Sequence, residues 1–125
     1  MVLMTQSEAL AWTREWIDRW NRRDVDGVLA RFADDVVFTS PRVPPITGKT
    51  GVSGKRELAE YWNRGIAAIQ SIHFELDYAI VDGNRLGIIY TSDINSKRMR
   101  SVEFLRFNDA GLVCEGEAMH GVVLS

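Results

Sequence analysis

The sequence has 125 residues, of which 46% are hydrophobic and 26% are charged. That length and composition are typical of one soluble globular domain with its own core, and they exclude a disordered chain. A formal net charge of -2 and a pI near 5.7 exclude the broad basic surface that nucleic acids and anionic membranes require. We therefore expect one domain over residues 1–125, with neither nucleic acid nor membrane as a partner.

The cysteine and hydropathy patterns indicate a cytoplasmic protein. Cys114 is the single cysteine, so it lacks an internal disulfide partner, and we expect a packed thiol there. No stretch resembles a signal peptide or an apolar membrane span of about 18 residues. Metal and nucleotide cofactors are not expected. Neither His73 nor His120 has a carboxylate at metal-binding helical spacing, and the GKTGVSGK segment lacks the spacing of a phosphate-binding loop.

The predicted elements begin with a helix, in which residues 5–8 fit a capping box and an apolar stripe follows at helical spacing. The stripe consists of Ala9, Trp12, Trp16 and Trp20. Asp24 is a candidate N-cap for a second, shorter helix. The apolar positions of that helix are Val25, Val28, Leu29 and Phe32. Asp34 and Asp35 carry the wrong charge for a helix C-terminus, so we assign both to a solvated turn.

A strand, a loop and a third helix are predicted next. Residues 36–39 indicate a strand, which Ser40 and Pro41 end. Residues 41–54 hold all three prolines and predict an ordered or mobile lid loop. Ser53 is the candidate cap of the third helix. The apolar stripe of that helix consists of Leu58, Tyr61, Trp62, Ile66 and Ile69.

Four long strands complete the chain, at 72–81, 85–94, 98–107 and 112–122. The turn signals DGN, NSK and NDAG separate them and predict an antiparallel meander. The expected fold is therefore α+β, with three helices packed in the concave face of a strongly curved, mostly antiparallel sheet. A sheet curved over helices forms a cone, and such a cone encloses a pocket.

Two segments carry a resemblance to a known family, WNRRDVDGVLARFADDVVFTSP at 20–41 and EFLRFNDAGLV at 103–113. With the order of elements, they resemble the nuclear transport factor 2-like superfamily, in particular its SnoaL-like polyketide cyclases and ketosteroid isomerases. The resemblance covers nearly the whole chain and implies a cone-shaped, cystatin-like α+β barrel. It implies chemistry less narrowly, because this fold hosts isomerases, dehydratases, cyclases, epoxide hydrolases and non-catalytic binding modules.

The resemblance to ketosteroid isomerases implies roles for three positions. The general base of that family directly precedes the proline of the first segment, and this chain has Ser40 there. Trp16 stands where the family has a phenol, and Glu103 stands where it has a protonated acid. Serine without a base does not remove a proton from carbon, and indole is not an acid near neutral pH. A steroid isomerase is therefore not expected.

Glu103 and His120 are the candidate catalytic residues. If Glu103 faces the cone with Ser101 and Leu105, burial raises its pKa above the usual value of about 4.3 and makes it an acid or a base. The alternative is a salt bridge on the outer face. An imidazole at His120 suits a base, an acid or a hydrogen-bond donor; the alternative is a structural histidine at a strand end or a dimer contact. Asp93 is assigned to the adjacent turn.

The candidate ligand-binding residues are Trp16, Phe32, Ser40 and Trp62, which we expect to meet Glu103 and His120 in one cavity. The expected ligand is small, apolar or aromatic, and cyclic. The leading hypothesis is cofactor-independent acid-base chemistry of the isomerase, cyclase or dehydratase type. Glu103→Gln should abolish this activity, while the stability of the protein stays nearly unchanged or rises slightly. The alternative is a non-catalytic ligand-binding or protein-interaction module, in which the same cone only holds a ligand or is filled by side chains.

The long strands also predict a homodimer through the outer sheet face. Apolar residues occur on both alternations of the first long strand. One set is Phe74, Leu76, Tyr78 and Ile80, and the other is Ala79 and Val81. This is more apolar surface than one core face needs, so a second face should be covered by another copy of the chain.

Overall fold

A computed structural model describes residues 4–125, which form four helices and six strands. The helices are α1 (Gln6–Asn21), α2 (Val25–Leu29), α3 (Val43–Thr47) and α4 (Lys55–Ala67). The strands are β1 (Phe32–Thr39), β2 (Val52–Ser53), β3 (Ile72–Asp82), β4 (Arg85–Ile94), β5 (Lys97–Phe107) and β6 (Val113–Val123). No helix within residues 4–125 has the length and apolar character that crossing a membrane requires.

The six strands form one sheet in the order β2-β1-β6-β5-β4-β3. All neighbouring pairs are antiparallel except β1 and β6, which are parallel. The four long strands form the predicted meander, and the helices pack against the inner face of the curled sheet. The predicted α+β class and the mostly antiparallel sheet are therefore confirmed.

The predicted capping box is present at the start of α1. The Thr5 hydroxyl accepts a hydrogen bond from the backbone N–H of Glu8 at 3.1 Å, and the Glu8 carboxylate accepts one from the backbone N–H of Thr5 at 3.0 Å. This reciprocal pair satisfies two of the N–H groups that a helix N-terminus leaves without partners. The helix buries a face against β3. That face consists of Ala9, Thr13, Trp16, Ile17 and Trp20.

Strand β1 begins earlier than the sequence pattern predicts. Phe32, assigned to the second helix, is the first residue of β1. Asp34 and Asp35, assigned to a turn, lie within that strand and are exposed. The early start results from tertiary pairing. Strand β6 pairs with β1 from Phe32 onward, and the register of this pairing shifts before Val37. The irregularity lets two consecutive acids face water between a buried pair at residues 32–33 and the alternating residues 36–39.

The segment 41–54 is not the simple lid loop that its prolines predict. It contains the short helix α3 and the two-residue strand β2, which pairs with β1. Ser53 lies on β2 rather than at the cap of α4. The N-cap is Gly54, whose φ of 87° suits glycine, and its backbone N–H donates to the Val36 carbonyl at 2.7 Å. A helix therefore stands where the lid was expected, giving four helices rather than three.

Strand β3 contains a β-bulge at Asp77. The flanking residues Leu76 and Tyr78 pair with adjacent residues of β4, which leaves Asp77 as the extra residue. The alternation therefore changes phase along the strand. Phe74 is buried in the core, whereas Tyr78 and Ile80 are each 55% exposed on the outer face. The prediction that these apolar residues form one continuous alternation is wrong, because the extra residue turns the second half of the strand over.

Candidate functional site

A cavity of about 190 Å³ opens between α3, α4 and the inner face of the sheet. An engineered apolar cavity of about 150 Å³ holds one benzene molecule, so this cavity suits a single-ring compound with small substituents. Its apolar lining includes Trp20, Phe38, Ile46, Trp62, Ile66 and Phe74. Its polar lining consists of Ser40, Arg42, Tyr61, Tyr90, Glu103 and His120.

A larger hollow of about 650 Å³ lies on the outer face of the sheet, where Val37, Ile80 and Phe104 contribute to its lining. Its charged groups face water, and two of them, Arg106 and Glu115, form an ion pair at 2.8 Å. The inner cavity differs because it holds buried titratable groups. Such groups are typical of chemical sites, so the inner cavity is the candidate functional site despite its smaller volume.

Glu103 is a buried carboxyl group on the inner face of β5, with 8% of the residue exposed. The Tyr90 hydroxyl is 3.5 Å from its Oε1 atom, a long and therefore weak hydrogen bond. Its Oε2 atom is buried and has no hydrogen-bond partner within residues 4–125. Burial raises the pKa of Glu103 to about 8, partly opposed by Tyr90. The carboxyl is therefore mostly protonated at neutral pH, and the outer-face salt bridge is excluded.

His120 is half-buried on the inner face of β6, and a chain of hydroxyl groups holds its ring. The Nδ1 atom lies 3.1 Å from the Ser101 hydroxyl, which lies 3.0 Å from the Ser92 hydroxyl. Both serines are buried. Burial and then the positive charge of Arg42 lower the pKa of His120. The ring is therefore neutral at pH 7, and Nε2 is the nitrogen that remains for a ligand.

Ser40, Arg42 and Tyr61 form the polar mouth of the cavity. The Ser40 hydroxyl accepts a hydrogen bond from the backbone N–H of Arg42 at 3.3 Å, and it also acts on the titration of the Tyr61 phenol. Burial raises the pKa of Tyr61, and Ser40 partly opposes this rise. Ser40 therefore joins the end of β1 to α3 and α4. It organises the mouth at a place where the resemblance implies a catalytic base.

The structure brings together four of the six predicted site residues, because Ser40, Trp62, Glu103 and His120 all line the cavity. Trp16 and Phe32 do not line it. Trp16 lies behind Phe74 and Tyr90, with ring centroids 5.8 and 5.4 Å away, respectively, and both of those rings face the cavity. Phe32 lies behind Trp62, with ring centroids 5.1 Å apart. The expectation for Trp16 and Phe32 is therefore corrected: they support the cavity wall as core residues.

Three polar residues of the cavity were not predicted from the sequence, namely Arg42, Tyr61 and Tyr90. Tyr90 and Tyr61 had a usable signal, because period-2 alternation in β4 and helical spacing in α4 direct them toward the core. Arg42 had no such signal in the sequence, since the direction of its side chain depends on the turn at Ser40.

Asp93 lies outside the cavity, near the turn between β4 and β5, and its register partner is Arg98. Within the part of the chain that the structure describes, no group of three or more His, Cys, Asp or Glu residues is arranged to hold a metal ion. Cys114 is partly buried, and its thiol lies 3.5 Å from the Arg106 carbonyl. None of these three features adds a group to the inner cavity.

Comparison with protein families gives a match that spans most of the chain. Residues 13–116 match the family described as the SnoaL-like domain. No curated protein matches the chain. The family match covers the cavity residues from Trp20 through Glu103, whereas Ala118 and His120 lie just beyond its end.

Solved structures show the same architecture. The chain is similar to a SnoaL-like protein of unknown function from Burkholderia thailandensis, at 27% identity and a TM-score of 0.87, covering 96% of this chain and 99% of that one. It is also similar to a candidate ketosteroid isomerase from Kribbella flavida, at 18% identity and a TM-score of 0.75, covering 96% and 82%. A protein with a cystatin-like fold from Methylobium petroleophilum matches at 19% identity and a TM-score of 0.75, covering 98% and 82%.

Proposed function

We propose that this chain, which belongs to the family of SnoaL-like domains, is a cofactor-independent enzyme that moves a proton on a small cyclic carbonyl compound. One observation carries the proposal: a carboxyl group and an imidazole in one cavity have pKa values displaced in opposite directions. Glu103 keeps its proton near pH 7, and His120 stays neutral. Such a pair supplies an acid and a base at the same pH.

The positions of the two groups suit opposite ends of one ring. Ser101 pairs with His120, and Glu103 pairs with Ala118, so Glu103 and His120 are diagonal neighbours on one face of the β5–β6 ladder. Diagonal Cβ atoms in antiparallel strands are roughly 7–8 Å apart. A single-ring ligand between the side chains therefore contacts both groups, with its carbonyl oxygen toward Glu103.

The proposed reaction is an enolisation. The Nε2 atom of His120 accepts a proton from the carbon beside the substrate carbonyl, while Nδ1–H donates to the Ser101 hydroxyl. Glu103 donates its proton to the carbonyl oxygen as negative charge develops there, which gives a neutral enol and a carboxylate. The carboxylate then takes back the enol proton. The imidazolium returns its proton to the original carbon, which allows exchange, or to a conjugated carbon, which gives isomerisation.

Deuterium incorporation tests this function directly. We expect the protein to accelerate exchange beside the carbonyl of at least one member of a panel of cyclic enones and lactones in D₂O, followed by NMR. Glu103→Gln and His120→Gln should each slow the exchange by about 10²–10⁴-fold, the usual contribution of a general acid or base. The rate should rise as His120 loses its proton below pH 6.5 and fall as Glu103 ionises near pH 8.

Matched controls come from strand β3, where Glu75 and His73 are exposed and lie outside the cavity. Glu75→Gln and His73→Gln should leave the exchange rate unchanged. If panel compounds bind and yet exchange no faster than in buffer, the enzymatic proposal fails. The non-catalytic ligand-binding module then takes its place.

A homodimer through the outer sheet face is also proposed. Five large apolar side chains on this face are between 43 and 55% exposed, namely Val37, Tyr78, Ile80, Phe104 and Met119. Exposed apolar area of this kind is typical of interfaces, and the hollow beside Phe104 has room for apolar side chains of a second copy in a two-fold contact. The second copy would cover this face and leave the inner cavity open.

Phe104→Glu tests the assembly because a two-fold contact would bury the new charge twice. Sedimentation velocity at micromolar concentration should show a dimer for the natural sequence and a monomer for the variant, with dimer affinity weakened by roughly 100-fold or more. Thr50→Glu, an exposed change outside the face, should remain dimeric. A natural sequence that sediments only as a monomer would refute the proposed dimer.

A further inference from the structure

We infer that the ligand of the inner cavity is a monoanion, a single-ring compound with a carboxylate that pairs with the Arg42 guanidinium. For catalysis this inference rests on the proposed function, but the binding of the anion does not depend on turnover. The proposed substrates are therefore cyclic keto acids or close relatives. Four features of the cavity carry it.

The first feature is the direction of the Arg42 side chain. Arg42 is half-buried and lines the cavity mouth. Its positive charge acts on the titration of Tyr61, Tyr90 and His120, which lie on α4, β4 and β6. Arg42 lines the same cavity as these three residues, so its charge acts inside that cavity. Arg42 therefore presents its charge to whatever occupies that space.

The second feature is the charge of Arg42. Several other arginines pair with carboxylates, as Arg19 does with Glu15 and Arg106 does with Glu115. Arg42 forms no ion pair within residues 4–125. The acid in the same cavity, Glu103, is protonated at neutral pH and so supplies no countercharge. The cavity therefore carries an uncompensated positive charge in partly desolvated surroundings, where a charge-assisted hydrogen bond to an anion is strong.

The third feature is the rigid attachment of Arg42. The Ser40 hydroxyl holds its backbone N–H. Val43, the next residue, is fully buried, and Pro44 and Pro45 follow in the first turn of α3. Proline in the first turn restricts the backbone. The backbone of Arg42 therefore has a fixed position, and its planar guanidinium fork is itself preorganised for a carboxylate.

The fourth feature is the distribution of polar groups along the cavity. Ser40, Arg42 and Tyr61 line the cavity from the end of β1, the start of α3 and α4, whereas Glu103 lines it from β5 on the inner face of the sheet, and apolar side chains such as Trp62 line the same cavity. This arrangement suits a ligand with an anionic end and a neutral acceptor at the other end. One arginine matches one carboxylate better than a dianionic phosphate, because no lysine lines the cavity.

A pair of nearly isosteric probes tests the inference. Affinities of 4-oxocyclohexanecarboxylate and 4-oxocyclohexanecarboxamide can be measured by calorimetry, or by the fluorescence of Trp20 and Trp62, which line the cavity. We expect the carboxylate to bind at least 10-fold more tightly than the carboxamide at pH 7 and low salt. Arg42→Gln should remove this preference while the affinity for the carboxamide changes by less than about 2-fold.

The matched control is Arg64→Gln, which removes an equal charge from the exposed side of α4 and should keep the preference. Unchanged thermal unfolding of Arg42→Gln shows that the variant is folded. Equal affinity for both probes in the natural sequence overturns the inference, and so does a preference that survives in Arg42→Gln.

The same titrations in the Glu103→Gln background separate this inference from the proposed function. A carboxylate preference that persists there, with no deuterium exchange in the natural sequence, supports the anion site and counts against the enzyme. Exchange on neutral cyclic ketones with no carboxylate preference supports the enzyme and counts against the anion site.

Discussion

Replacing Glu103 with Gln is expected to stabilise the protein strongly at alkaline pH and to change its stability little at pH 5. The carboxyl group titrates near 4.5 when it is not perturbed and at about 8 in the folded protein. Between these values the folded state keeps a proton that the unfolded state has released. The free energy of unfolding therefore falls as the pH rises from about 4.5 to about 8, and the loss is on the order of 4 kcal/mol. A glutamine side chain does not titrate and avoids this loss.

Urea unfolding of the natural sequence and Glu103→Gln at pH 5 and at pH 8.5 measures the effect. The stability difference between the two proteins should shift by about 4 kcal/mol in favour of the variant at the higher pH. Glu75→Gln, which removes an exposed carboxylate from β3, should show no comparable shift. A difference that is the same at both pH values would mean that Glu103 ionises normally, and the proposed acid would then be lost.

The second large effect is expected at Trp16, which the structure places behind the cavity rather than in it. Trp16 is 3% exposed and packs against Trp20, Phe74 and Tyr90. Trp16→Ala should lower the free energy of unfolding by about 3–5 kcal/mol, because a large buried side chain is removed and a void is left. Guanidinium unfolding measures this loss directly.

Trp16→Phe serves as the matched variant, because it keeps a ring against Phe74 and Tyr90 and should cost less than Trp16→Ala. Both variants should keep the carboxylate preference of the cavity in the temperature range where they remain folded. A Trp16→Ala protein of unchanged stability with weakened ligand binding would contradict the position described here. Trp16 would then be a ligand-binding residue, as the family resemblance implies.

The fold could be predicted from the sequence wherever its signals are local. The capping box at residues 5–8 and the turns between the long strands depend on neighbours in the chain, and they were found. The parallel pairing of β1 with β6 joins residues about 80 positions apart, and only tertiary contacts start the strand at Phe32. The same holds for α3, where a proline-rich segment becomes a helix because Val43 is drawn into the core.

The residues of the candidate site also differ in whether a local sequence pattern could predict them. Alternation along a strand predicts which residues share a face, so it groups Glu103 with Ser101 and Leu105. That this face of the strand is the inner one was implied by the family resemblance, and the structure decides it. Alternation alone does not show that Tyr90 approaches Glu103, since that contact joins two strands. The position of Arg42 in the cavity could not be predicted, because no local pattern gives the direction of a side chain that follows a serine turn. The unpaired charge of the cavity is visible only when all its walls are assembled.

The bulge at Asp77 has a consequence for the alignment of related sequences. Before the bulge, the even-numbered residue Phe74 belongs to the core, and after it the even-numbered residues Tyr78 and Ile80 belong to the outer face. An alignment to a relative without the extra residue therefore needs a one-residue gap at this point. If the gap is placed a few positions away, core positions are equated with surface positions. Substitutions would then be compared between residues that never share an environment.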